Sequence, residues 1–224
     1  MSNTLTLGST DYLLTDGTSF NSSSGLAPGS ATLASTNAAT ITGTGVTHVA
    51  VDLGASADTL VINTTLTGSS NTALNSLVQL GGGNDIVTIN SAVSNYRIDG
   101  GVLSDTLVIN ANLSGTLITG NAGADSIEFN SGTITGGQLS VGSTTSTIDG
   151  ADTLTIATGA KGVGTFITNF NGDQDTLIIG GTTITGLGDL TIGSYTAAQY
   201  AATANSNQLL TDWLADGGNK ITLI

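Results

Sequence analysis

The chain has 224 residues, of which 38% are hydrophobic, enough for one sizeable core, so a single domain is the default. Only 8% are charged, and the formal net charge of −13 with three basic residues argues against nucleic acid and anionic membranes and points to cations or basic partners. There is no cysteine, which excludes disulfides and thiolate metal sites, and no stretch approaches the roughly 18 apolar residues of a membrane span.

With so few charges the surface must be covered by Thr, Ser, Asn and Gly, the composition of an all-β, turn-rich chain. Thr favours pleated surfaces, and 32 glycines with a single proline suit strands joined by tight turns. Fifteen of the sixteen acidic residues are Asp, a turn residue and a compact oxygen ligand, and only Glu128 is Glu.

In chain order, the opening MSNTLTLGSTDYLL has neither a basic n-region nor a continuous apolar h-region, so an exported chain is expected to leave without a cleaved N-terminal signal. Residues 1–47 are expected to form a cap-like segment, irregular over 17–40, where large apolar groups are few. THVAVDLG (47–54) begins a regular stack that extends over 48–194.

That stack is read from an internal repeat. DIVTINSAVSNYRIDGGVLS (85–104) and DTLVINANLSGTLITGNAGA (105–124) are consecutive twenty-residue units that align without a gap. Residues 58–84 and 125–151 repeat the unit with seven extra residues each, 152–174 spans twenty-three, and a sixth copy opens at Asp175. Each unit starts Asp, any, apolar, any, apolar, usually Asn, which is the period-two pattern of a half-buried strand. A second strand is expected seven to nine residues later, clearest in LVQLG, NYRID and GTLIT.

Units this short bury their apolar faces only against one another, which predicts a right-handed parallel β-solenoid with one coil per 20–27 residues and about six to eight coils. Equivalent positions then stack about 4.8 Å apart. Leu60, Val87, Leu107, Ile127, Leu154 and Leu177 form one apolar ladder, and Ile62, Ile89, Ile109, Phe129, Ile156 and Ile179 a second. Asn63, Asn90, Asn110 and Asn130 form a corner ladder in left-handed backbone that ends where Ala157 and Gly180 replace Asn. Residues 195–224 hold the one expected helix, within 195–218, and a terminal strand, as a cap, assembly or secretion element.

The turn GNAGADSIE (120–128) resembles the RTX nonapeptide family, Gly-Gly-x-Gly-x-Asp-x-apolar-x, departing at Asn121. LGGGNDIVT (80–88) departs at Leu80 and GGVLSDTLV (100–108) at Leu103, while FITNFNGDQDTLIIGG (166–181) looks like segments flanking such repeats. The resemblance covers roughly residues 48–181, with one motif per coil where the family has one every nine residues. It implies a secreted bacterial protein, Ca²⁺ bound by the aspartate and turn carbonyls, and type I secretion read from an uncleaved C-terminal signal.

Charge gives a separate reason to expect cations. Asp58, Asp85, Asp105, Asp125, Asp152 and Asp175 fall in one column, and like charges about 5 Å apart repel by roughly 1 kcal/mol even in water. Bridging Ca²⁺ relieves this, with Asp99, Asp149 and Asp173 in adjoining turns as further oxygen donors. The alternative is that each Asp caps its own turn and stays solvated.

Catalysis is not expected. Arg97 is the only arginine, His48 the only histidine, and Lys161 and Lys220 are far apart in the repeat; no Ser/His/Asp set, phosphate loop or zinc spacing is present. Tyr195, Tyr200 and Trp213 read as cap packing and not as a sugar platform. The expectation is a calcium-bound, non-enzymatic extracellular protein that self-associates into a surface layer, fibre or biofilm matrix, with a cell-surface polysaccharide as a further partner. An adhesin or polysaccharide-binding module, or a phage or virion surface protein, is the alternative; a polysaccharide lyase comes last.

Overall fold

The computed structural model describes residues 51–68, 77–143 and 149–224 in full and, before them, the backbone of strands Asn3–Leu7, Tyr12–Asp16, Gly29–Leu33, Ala39–Gly43, Val46–Thr47 and Val49–Asp52. The chain is all-β and mostly parallel, with two short helices near its end. Among the described residues the strands form three sheets of nine, six and ten strands, and the chain visits them in rotation, a solenoid-like course.

One repeat shows why. Ile86–Ile89 pairs in parallel with Thr59–Ile62 behind it and Thr106–Ile109 ahead. Val93–Ser94 does the same in the six-stranded sheet, and Arg97–Val102 in the ten-stranded one. Each unit therefore supplies three strands, where the sequence pattern shows two. The additional strand has only two or three residues, too few for a period to register.

The two apolar ladders form in the expected register. Val87 pairs with Leu60 and Leu107, then Leu107 with Ile127, Ile127 with Leu154 and Leu154 with Leu177. The second ladder runs beside it from Ile62 to Ile179, and both are buried in one hydrophobic cluster. The strands alternate half-buried and buried positions, as a sheet with one wet face requires.

Seven extra residues in the unit 58–84 fall between Thr67 and Leu77, and most of those in 125–151 between Ser140 and Asp149. Insertions between strands leave the register untouched. Residues 69–76 and 144–148 within them lie outside the described set. Of the segment 17–40, Gly29–Leu33 and the start of Ala39–Gly43 are described, and both pair in the sheets; the rest lies outside.

At the C-terminal end the parallel pattern stops. Thr182–Ile184 folds back antiparallel on Thr176–Ile179, while Lys220–Leu223 extends the ten-stranded sheet and Gly193–Tyr195 closes it antiparallel. The single expected helix is two: α1 (Ala197–Ala201), with a Thr196/Gln199 capping box, and α2 (Gln208–Ala215), N-capped by Asn207. The break falls in the Asn- and Ser-containing stretch 202–207, whose side chains compete for backbone groups. Tyr200, Leu210, Trp213 and Leu214 are buried against the stack, as cap packing requires.

Asn219 ties this cap down. Buried at 1% exposure, it accepts from Thr165 N–H (2.9 Å) and donates to the carbonyls of Gly162 (2.9 Å) and Trp213 (2.7 Å). Asn219→Ala strands these buried groups and is expected to cost about 3 kcal/mol. A lower urea midpoint at unchanged slope, followed by the fluorescence of Trp213, checks it.

Candidate functional site

The six repeat aspartates share the inward parity of the strands they open. In the unit starting at Asp85, that residue, Val87 and Ile89 are buried while Ile86 and Asn90 are exposed. The carboxylates therefore enter the interior and do not line an outer, wet edge. Asp85, Asp105, Asp125 and Asp152 are 1–3% exposed.

Inside, they form a ladder. Asp58 N–H donates to Oδ1 of Asp85 (2.6 Å), Asp85 N–H to Asp105 (2.8 Å), and Asp105 N–H to Asp125 (2.8 Å). Asp125 N–H then donates to Asp152 (2.8 Å), and Asp152 N–H to Asp175 (3.0 Å). The following residue completes the link in the other direction, as where Ile86 N–H donates to Asp58 C=O and Thr106 N–H to Asp85 C=O. The carboxylate thus does the work of a backbone acceptor at the point where the strand begins.

The second oxygen is different. Oδ2 of Asp85, Asp105, Asp125 and Asp152 is buried without a hydrogen-bond partner. Glycines pack on it: a Cβ added at Gly100 would lie 2.6 Å from Asp105 Oδ2, at Gly120 2.5 Å from Asp125 Oδ2, and at Gly142 2.7 Å from Asp152 Oδ2. This pairing explains the Gly-x-x-x-x-Asp spacing of 100–105 and 120–125, a signal present in the sequence whose meaning needs the fold. At the matching position before Asp85 stands Leu80, itself buried.

Burial raises the carboxyl groups, chiefly by withdrawing water from the charged form. Asp105 is pushed up to about 7, Asp125 to about 6 and Asp152 to about 8, each held back partly by the amide it accepts and raised further by neighbouring carboxylates. Burial also raises Asp85, Asp149 and Asp175. Asp175 differs in that its second oxygen accepts from Asn171 N–H (2.6 Å).

The three outlying aspartates do not join them in one cluster. Asp99 accepts from Arg97 Nη2 (2.6 Å) and from Asn121 Nδ2 (3.0 Å). Asp149 accepts from Ser143 N–H (3.0 Å) and approaches Asp152 beside Gly142. Asp173 lies in a turn, its N–H on Asn171 Oδ1. Calcium needs six to eight oxygens around one point. Among the described residues no three acidic side chains converge on a metal position, and one oxygen of each carboxylate from Asp85 to Asp175 is already taken by an amide. Among the described residues the column therefore offers no cage of acidic side chains for a calcium ion.

The asparagine ladder stands on the outside. Asn90 Nδ2 donates to Asn63 Oδ1 (2.9 Å), Asn110 to Asn90 (2.9 Å) and Asn130 to Asn110 (3.2 Å). Its members do not have the expected left-handed backbone. That conformation falls one corner later, on Asn95 (φ 57°), Gly115 (55°), Gly136 (58°) and Gly164 (59°), residues that tolerate it.

The basic residues stay apart from the column. Arg97 is engaged by Asp99, Lys220 lies 5.7 Å from the Phe166 ring centroid, and Lys161 is exposed. The side chain of His48 lies outside the described residues. No family model, curated protein or solved structure matches this chain.

Gly120→Ala drives a methyl group into Asp125 Oδ2 and the Val141 carbonyl, both 2.5 Å from its position. A loss of about 1–3 kcal/mol is expected from the overpacking, against less than about 1 kcal/mol for Gly82→Ala, whose Cβ would make only ordinary van der Waals contact, 3.4 Å from Val102. Paired urea denaturation curves check the contrast.

Proposed function

We propose that this chain is a right-handed parallel β-solenoid and a non-enzymatic, extracellular structural protein whose copies associate into a surface layer, fibre or matrix. The observation that carries the reading is the outward face of the nine-stranded sheet. Its outward positions are Thr59 and Val61, Ile86 and Thr88, Thr106 and Val108, Ser126 and Glu128, Thr153 and Thr155, then Thr176 and Ile178. Across six strands Glu128 is the only charge.

Regular sheets with so little charge lack the repulsion that keeps soluble proteins apart. Ile86 is 44% exposed there, and its neighbours are methyl and hydroxyl groups in a fixed register. The C-terminal strand edges are covered by Thr182–Ile184 and Gly193–Tyr195, which disfavours growth by edge pairing at that end. Lateral contact of faces is the association this favours. The RTX-like turns support a secreted setting; calcium is not needed for the reading, and no cage of acidic side chains for it stands among the described residues.

Light scattering and electron microscopy of the purified chain are expected to show ordered particles as concentration rises. Thr106→Lys with Val108→Lys places two like charges on the face and is expected to leave a monomer with the same circular dichroism. A parent chain that stays monomeric, or a Lys variant that assembles equally well, sinks the proposal; a stable monomer retained by one glycan favours the adhesin reading.

A further inference from the structure

We infer that the aspartate column is a proton-binding ladder, whose interior carboxyls are held in the folded chain as neutral acids neutralised by protons and not by a divalent cation. The geometry fits a neutral acid at each oxygen. Oδ1 accepts one backbone amide per rung, a bond the carbonyl oxygen of a carboxylic acid also makes, though more weakly than a carboxylate. Oδ2 is buried and receives no donor on Asp85, Asp105, Asp125 or Asp152. As an anion it would be an unmet charge; as a hydroxyl it needs only an acceptor.

Acceptors are at hand. The space beside Gly100 is flanked by Asp105 Oδ2 and the Gly120 carbonyl oxygen, and that beside Gly120 by Asp125 Oδ2 and the Val141 carbonyl oxygen. A protonated carboxyl at Asp105 or Asp125 thus has a backbone carbonyl oxygen in its neighbourhood as a candidate acceptor.

The titratable groups that face the column are themselves acidic. Beside Asp105 stand Asp85, Asp125 and Asp99; beside Asp125 stand Asp149 and Asp99; beside Asp152 stand Asp175, Asp125 and Asp149. Each favours the neutral form of its neighbour. Among the described residues no basic side chain acts on Asp105, Asp125 or Asp152, and Arg97 pairs with Asp99.

The sign of the linkage follows. Folded values of about 6, 7 and 8 for Asp125, Asp105 and Asp152 lie above the ordinary 3.8, so the folded chain binds more protons than the unfolded one. Stability is greatest below about pH 4 as regards these groups and falls as pH rises through about 6 to 8.

The test compares the full chain with Asp105→Asn/Asp125→Asn/Asp152→Asn, in which the amide keeps the Oδ1 acceptor and has the shape of the neutral acid. Urea unfolding is followed at pH 5 and pH 8, with calcium and with EGTA. In the parent the folding equilibrium constant is expected to fall by about tenfold or more between the two pH values. The Asn variant should lose most of that fall, and calcium should change neither protein. The infrared carbonyl band of a protonated carboxylic acid should persist in the parent at pH 6 and vanish in the variant. Stability that rises with pH, or a calcium-dependent gain at pH 8 lost in the variant, overturns the inference. If the triple variant does not fold, Asp105→Asn is read the same way, and absence of the infrared band in the parent at pH 6 is decisive against it.

Discussion

The stack depends on one hydrogen bond repeated at every coil, from the backbone N–H of one strand-opening aspartate to the carboxyl of the next. A parallel ladder must find a partner for every buried amide, and at the corner where the chain enters the nine-stranded sheet a side chain supplies it. Asp has the reach for this; Glu, one methylene longer, would push its carboxyl past the amide and into the glycine. The all but exclusive use of Asp among the acids then has a structural cause as well as a compositional one.

From that bond the rest of the interior follows. The carboxyl points inward, and at three rungs the residue packed against it is a glycine: Gly100, Gly120 and Gly142. Water is excluded with it, which raises the acids toward neutrality. Beyond the aspartate the strand buries two apolar residues and then reaches the outer corner, where Asn90, Asn110 and Asn130 each donate an amide to the asparagine of the preceding unit. Polar ladders inside and outside thus bracket the apolar ones, and all four share one register.

Much of this register is legible in the chain. Units that open on the same period-two strand can superimpose in only one way without turning apolar side chains outward, so Leu60 through Leu177 and Ile62 through Ile179 align as the pattern dictates. The short strands of the six-stranded sheet are not legible, because two residues have no periodicity. Nor is the split of the C-terminal helix, which rests on Asn207 capping α2 while Tyr200 packs from α1. The left-handed corner was assigned one turn early, since asparagine occurs at both Asn90 and Asn95 and composition does not distinguish a stacked amide from a strained backbone.

That six aspartates stand in one column, and that the column opens strands of a parallel stack, can be read from the chain alone. Even the inward direction is implicit in their spacing from the apolar residues two and four places on. The setting of those carboxyls exists only in the fold. Their surroundings come from amides one coil behind, glycines in the preceding turn and carbonyls one coil ahead, none of which is adjacent in the chain. Repulsion between like charges assumes that the charges are there; burial against glycine removes the water that would sustain them, and a proton becomes the partner that a solvated column would have found in a cation.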